Sequence, residues 1–175
     1  MLQVLHAPLA ASAYEIVLAI HVMAVVVAFG VTFAYPIMFA VGARRDPRSL
    51  PILHRIEYTI ERTLINPGLL VVVAAGIFLA SDGHHWSEFF VQWGLAAAIV
   101  IGALIGAVMI PTAKRAEAIA ERDLAGAGAG GTAGAAGSTI QMSDEYRGLV
   151  RRLTLVGSLL SVLVLVTILF MVVKP

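Results

Sequence analysis

The chain has 175 residues, 59% of them hydrophobic and 13% charged, with a formal net charge of +1. A soluble domain is about 45–50% apolar and about 25% charged, so the composition excludes an ordinary soluble enzyme and points to an integral membrane protein. There is no cysteine, which excludes disulfides, thiolate metal ligands and cysteine nucleophiles.

Residues 1–13 carry no Lys or Arg, so the basic start of a signal peptide is missing and the first apolar run is expected to persist as a helix. A membrane-crossing helix takes about 20 apolar residues. Four runs meet that length: Ile16 to Ala43, Thr63 to Ser81, Phe89 to Ala113 and Leu153 to Val173. The first is longer than a bilayer requires and is expected to tilt or to bend at Pro36. Ahead of the second, LPILHRIEYTIER (residues 50–62) has apolar residues at helical spacing and predicts a helix feeding the span. Asn66-Pro67-Gly68 then bends or thins that helix.

The third run is predicted to continue past Pro111 as the polar helix KRAEAIAERD, giving way to a flexible Gly/Ala-rich linker over residues 125–139. Ser143-Asp144-Glu145 predicts the start of the fourth helix, with a capping oxygen and acids near its positive end. Tyr146, Leu149, Val150 and Leu153 lead into the span as an apolar stripe.

Charge sets the expected orientation. Of twelve Lys and Arg, eleven lie in two stretches: Arg44, Arg45, Arg48, Arg55 and Arg62, then Lys114, Arg115, Arg122, Arg147, Arg151 and Arg152. The connection SDGHHWSE has none. The positive-inside rule puts both basic stretches in the cytoplasm and both termini outside. The expectation is one all-α domain over residues 1–175, a four-helix transmembrane bundle with cytoplasmic helical extensions in the plasma (inner) membrane of a bacterium.

Each span has one small or polar side. His21, Ala24, Ala28, Thr32 and Tyr35 share a face of the first, and Gly68, Ala75 and Gly76 mark the second. Gly94, Ala98, Gly102 and Gly106 recur every four residues in the third, and Thr154, Ser158 and Ser161 with Gly157 mark the fourth. Small faces let helices approach closely in lipid, so these sides are expected to converge. The stripe on the third span could instead pair two copies of the chain or hold a membrane partner.

The motifs resemble those of a known group. His21-x-x-Ala24 followed by Tyr35-Pro36, Glu57 ten residues before Pro67, Gly76 nine residues after it, and the ending Val172-Val173-Lys174-Pro175 resemble the HemJ-type protoporphyrinogen oxidases. CopD-like copper-resistance proteins share the wider likeness. The chain is most similar to a bacterial family of four-helix membrane proteins without an assigned activity, in Pro67-Gly68, in Pro111 with Lys114 and Arg115, and in the Lys-Pro end. The resemblance implies a common four-helix fold and makes His21 the counterpart of a haem-linked histidine, with haem b as the implied cofactor. Three chemically loaded positions of the oxidases differ here. Gly42 replaces a histidine, Gln92 stands in a region that carries a lysine, and VRRLTLVG replaces an Asn-Glu pair.

The residues leave His21 three roles: an interhelical hydrogen bond to a hydroxyl of the fourth span, a haem or metal ligand, or a proton relay. His84 and His85, with His6, are the histidines that could join it around haem, copper or zinc. Glu57 and Glu61 share a face beside His54, Arg55 and Arg62, either handling protons or offsetting the arginines. No Ser-His-Asp set, phosphate loop or metalloprotease motif is present, and no aromatic-interleaved basic patch for nucleic acid. No catalytic residue is expected. The functional readings are a non-catalytic accessory or structural bundle, a haem- or metal-binding redox protein centred on His21, and a small channel or transporter component.

Overall fold

The computed structural model describes residues 12–129 and 141–174. Four long helices make up the described chain, which contains no strand. They are α1 (Ala13–Arg45), α2 (Pro47–Asp82), α3 (Phe89–Ala127) and α4 (Asp144–Val173), each long and apolar enough to cross a membrane. Ser12 and Glu15 start α1 with a reciprocal capping box, and Ser143 caps α4 through the Tyr146 N–H, as the sequence at 143–145 predicts. The helix expected over residues 50–62 runs unbroken into the second apolar run. The linker begins later than the composition suggests, because α-helical geometry holds through Ala129. The rest of the expected linker lies outside the described residues, as does His6.

Three helices change their winding at one kind of place. A 3-10 turn, Val31–Ala34, interrupts α1; π turns Glu61–Ile65 and Ile105–Met109 interrupt α2 and α3. Each ends two residues before a proline, Pro36, Pro67 or Pro111. A proline at position i cannot donate to the carbonyl at i−4, and those carbonyls belong to Thr32, Thr63 and Ala107, inside the three turns. The π turns shift pairing by one residue, so that Asn66 N–H reaches the Glu61 carbonyl and Ile110 N–H reaches that of Ile105. The bend expected at Pro36 thus takes the form of a tightened turn just ahead of it.

The bundle closes on three sides. α1 packs along α2, α2 along α3, and α3 along α4, whereas α4 approaches α1 chiefly at the turn Val31–Ala34. Ala28 is fully buried where α1 crosses α2, and a Cβ on Gly68 would stand 2.6 Å from the Ala28 Cβ. On α3 the stripe does not act as one surface. Gly94 lies under Met171 of α4, Gly102 under Leu69 of α2, and Ala98 packs on the core, but nothing stands over Gly106. The buried line runs one residue over, through Ala97, Ile101, Ile105 and Met109 to Ala113, Ala116 and Ala120.

Polar ties join the helices at the basic end of the bundle. Arg55 donates to Glu117 at 2.6 Å, linking α2 to α3. Arg115 and Arg122 donate to Glu145, and the Ser143 N–H donates to Asp123 at 2.8 Å, linking α3 to the start of α4.

The Ala28–Gly68 crossing makes a direct prediction. Gly68→Ala overpacks it and lowers stability by roughly 1–3 kcal/mol, read as a depressed thermal midpoint in detergent. Adding Ala28→Gly restores most of the loss; a Gly68→Ala protein that melts like the wild type would show that the helices have room to separate.

Candidate functional site

Two cavities stand out along the bundle among the described residues. The first is near the loop end, where Gly83 to Glu88 connect α2 to α3, and has a volume of about 370 Å³. Its wall includes His21 and Val25 of α1, Val72 and Gly76 of α2, His85, Met171 of α4 and Lys174 just past its end. His21 does not meet a hydroxyl of α4. Its Nδ1–H donates to the Val72 carbonyl of α2 at 3.0 Å, a partner that a search among polar side chains misses. Gly76 gives the ring its seat, since a Cβ there would stand 3.4 Å from His21 Cε1. Nε2 has no partner among the described residues.

His85 lines this cavity with His21, while His84 takes a left-handed backbone (φ 56°) at the turn and stands exposed. No three His, Asp or Glu side chains come within metal-binding reach among the described residues. The set His21, His84 and His85 is therefore not gathered into one metal centre, because the turn that admits His85 turns His84 away.

The second cavity, about 590 Å³, lies toward the basic end and is lined by Thr32 and Tyr35, by His54, Glu57 and Glu61, and by Thr154, Ser158 and Ser161 among apolar residues. The three irregular turns supply part of its wall through Thr32, Phe33, Glu61, Ile65, Ile105 and Met109. His54 is 1% exposed and both of its ring nitrogens are engaged: Nδ1 lies 3.1 Å from the Glu57 carboxyl and Nε2 3.0 Å from the Tyr146 hydroxyl. With Nδ1–H donating to Glu57, the Tyr146 O–H donates to Nε2. Phe39 packs on the ring, with centroids 4.6 Å apart.

Neither glutamate pairs with an arginine, contrary to the charge-offset expectation. Glu57 is taken by His54. Glu61 is 2% exposed, and its Oε2 has no hydrogen-bond partner; the Tyr35 hydroxyl is buried without one as well. Arg55 points to Glu117 instead. The His54–Tyr146 bond joins residues far apart in sequence, which is why sequence reading misses Tyr146. His54 itself left a signal: Leu50, His54, Glu57, Glu61 and Ile65 follow one another at helical spacing, so three ionisable groups occupy the core-facing line of an apolar helix.

Outside the apolar spans, two carboxyls are tuned by their contacts. Ser143, hydrogen-bonded to Asp123, and the neighbouring Arg122 hold the Asp123 carboxyl below the usual carboxylate range. Arg115 first, then Arg122, do the same for Glu145.

Comparisons with protein-family models, with curated proteins and with solved structures give no match.

Tyr146→Phe removes the donor to His54 Nε2 and leaves a buried acceptor unpaired, at a cost of about 1–3 kcal/mol. A lowered thermal midpoint is expected, and an unchanged one would show that the bond carries no stability. The depressed Asp123 and Glu145 carboxyls stabilise the docked start of α4 above their unfolded pKa values, and that contribution is lost as pH falls through the folded ones. Protection of the Tyr146 and Arg147 amides, corrected for the intrinsic exchange rate at each pH, is therefore expected to fall below about pH 4; protection that does not respond to acid at these two amides would contradict the assignment.

Proposed function

We propose that the chain is a multi-pass protein of the bacterial plasma membrane that carries haem b in its loop-end cavity, held through His21, and is not itself an enzyme. The observation that carries this reading is the bond from His21 Nδ1–H to the Val72 carbonyl. A neutral imidazole has one N–H. Committing it to a backbone carbonyl fixes the tautomer and leaves the Nε2 lone pair available, which is how proteins prepare a ligating histidine.

The residues present fit the group. The wall is mainly apolar, and its volume of about 370 Å³ would take part of the macrocycle, the remainder lying along the exposed Val22, Val26 and Val172 where the same wall opens sideways. Lys174 lines the same cavity and offers an ammonium to the haem carboxylates; His85 offers a further imidazole. When bound, haem supplies one-electron chemistry. The chain's own contribution would be to hold the iron through His21, to neutralise the carboxylates through Lys174, and to keep the ring in an apolar surround.

Support for the rest of the reading comes from sequence. His21, Tyr35-Pro36 and the spacing to Gly76 resemble the HemJ-type oxidases, while Gly42, Gln92 and the VRRLTLVG stretch depart from their reactive positions. At Gly42 a Cβ would clash with Leu53 Cδ1 and stand 3.0 Å from Ser49 Oγ, so a histidine there would require those side chains to move. The two arginine-rich stretches support a cytoplasmic basic end and an outward loop end.

The test is the visible spectrum of protein purified in mild detergent from haem-supplied cells. A Soret band is expected, and His21→Ala is expected to abolish it without moving the thermal midpoint by more than a few degrees. Wild-type protein that is colourless and stays so after added haem would overturn the proposal in favour of a purely structural bundle.

A further inference from the structure

We propose that the basic-end cavity binds a lipophilic organic cation, a protonated amine on an apolar body, through Glu61 and Tyr35. This site is separate from His21 and does not depend on the haem reading.

Its volume of about 590 Å³ suits a small organic molecule. Its wall carries the carboxyls of Glu57 and Glu61 and no Lys or Arg. Charge balance there needs protons or a cationic guest. Two acceptors from different helices reach this wall without a partner: Glu61 Oε2, on a residue 2% exposed, and the Tyr35 hydroxyl, on a residue 8% exposed. Buried polar atoms are normally satisfied, and leaving them bare is costly. An ammonium N–H supplies donors to both and neutralises the carboxyl.

The remaining wall selects the rest of the guest. Phe29, Phe33 and Phe39 line the cavity and favour a cation beside their ring faces. A bare metal ion is a poor fit, because no three His, Asp or Glu groups converge among the described residues. A phospholipid headgroup brings a phosphate to a wall that has no cation for it. Access is from the side: Phe33 of α1 and Val162 of α4 both line the cavity and are both exposed, at the seam where those helices barely pack. In a bilayer that seam faces acyl chains, where a lipophilic amine partitions.

The experiment is isothermal titration of the full chain in a nonionic detergent with phenylbutylamine, against its uncharged counterpart phenylbutanol. The amine is expected to bind at least tenfold more tightly, and Glu61→Gln, with its melt checked, is expected to erase that advantage. Equal affinity for the two probes, no binding of the amine, or an undiminished preference in Glu61→Gln would each overturn the proposal. If Glu61→Gln does not fold, Ser158→Phe fills the cavity from α4 and leaves both carboxyls in place. Amine binding is then expected to fall at least tenfold, and retention of wild-type affinity would overturn the site.

Discussion

A carbonyl that loses its helical donor in an apolar setting must find another arrangement, and the architecture follows from how three helices meet that demand. Proline removes the donor at Pro36, Pro67 and Pro111, and the turn ahead of each is rewound, tightened in α1 and widened in α2 and α3. A regular helix presents the same ridges along its length, and three regular helices would pack into one another. Rewinding displaces the side chains around it. Because Thr32, Glu61, Ile65, Ile105 and Met109 all come from rewound turns and all line one cavity, the three irregularities act at one depth of the bundle and hold it open there.

The two cavities differ in chemistry as well as place. At the loop end the ionisable nitrogen groups are the bases His21 and His85 with the cation Lys174, beside the hydroxyls of Tyr14 and Thr167. At the basic end the polar groups are oxygen acids and hydroxyls, with His54 already committed to Glu57 and Tyr146. The first set offers nitrogen donors and a cation, the second carboxyls and hydroxyls. The charged residues outside the cavities do a different job. Arg55, Arg115 and Arg122 pair with Glu117 and Glu145; exposed pairs of this kind contribute little each, and here they fix the order in which α2, α3 and α4 meet.

The four helices, the start of α4 at Ser143 and the small faces of α1 and α2 were legible in the sequence, because run length, capping chemistry and residue size are local properties. What was not legible depends on rotation about a helix or on distance along the chain. The glycine stripe of α3 and the buried line through Ala97, Ile101 and Ile105 differ by one residue, a rotation of about 100°, and composition cannot choose between them when both are apolar. Glu57 and Glu61 stand near Arg55 and Arg62 in sequence, but neighbours in a helix point in different directions, and Arg55 lies on the side of Glu117. The partner of His21 is a backbone carbonyl, which every residue has, so no residue type announces it. Tyr146 reads as one more apolar stripe residue until α4 is brought against His54.

Phe29, Ile101 and Val164 belong to the walls of both cavities. The bundle is thus two chambers sharing a thin septum of three side chains, each contributed by a different helix. A septum of this kind has no independent position: whatever pushes Phe29 toward one chamber enlarges the other. Volume gained by one chamber through these side chains is volume taken from the other, and any linkage between guests that followed would be of equal size read from either side.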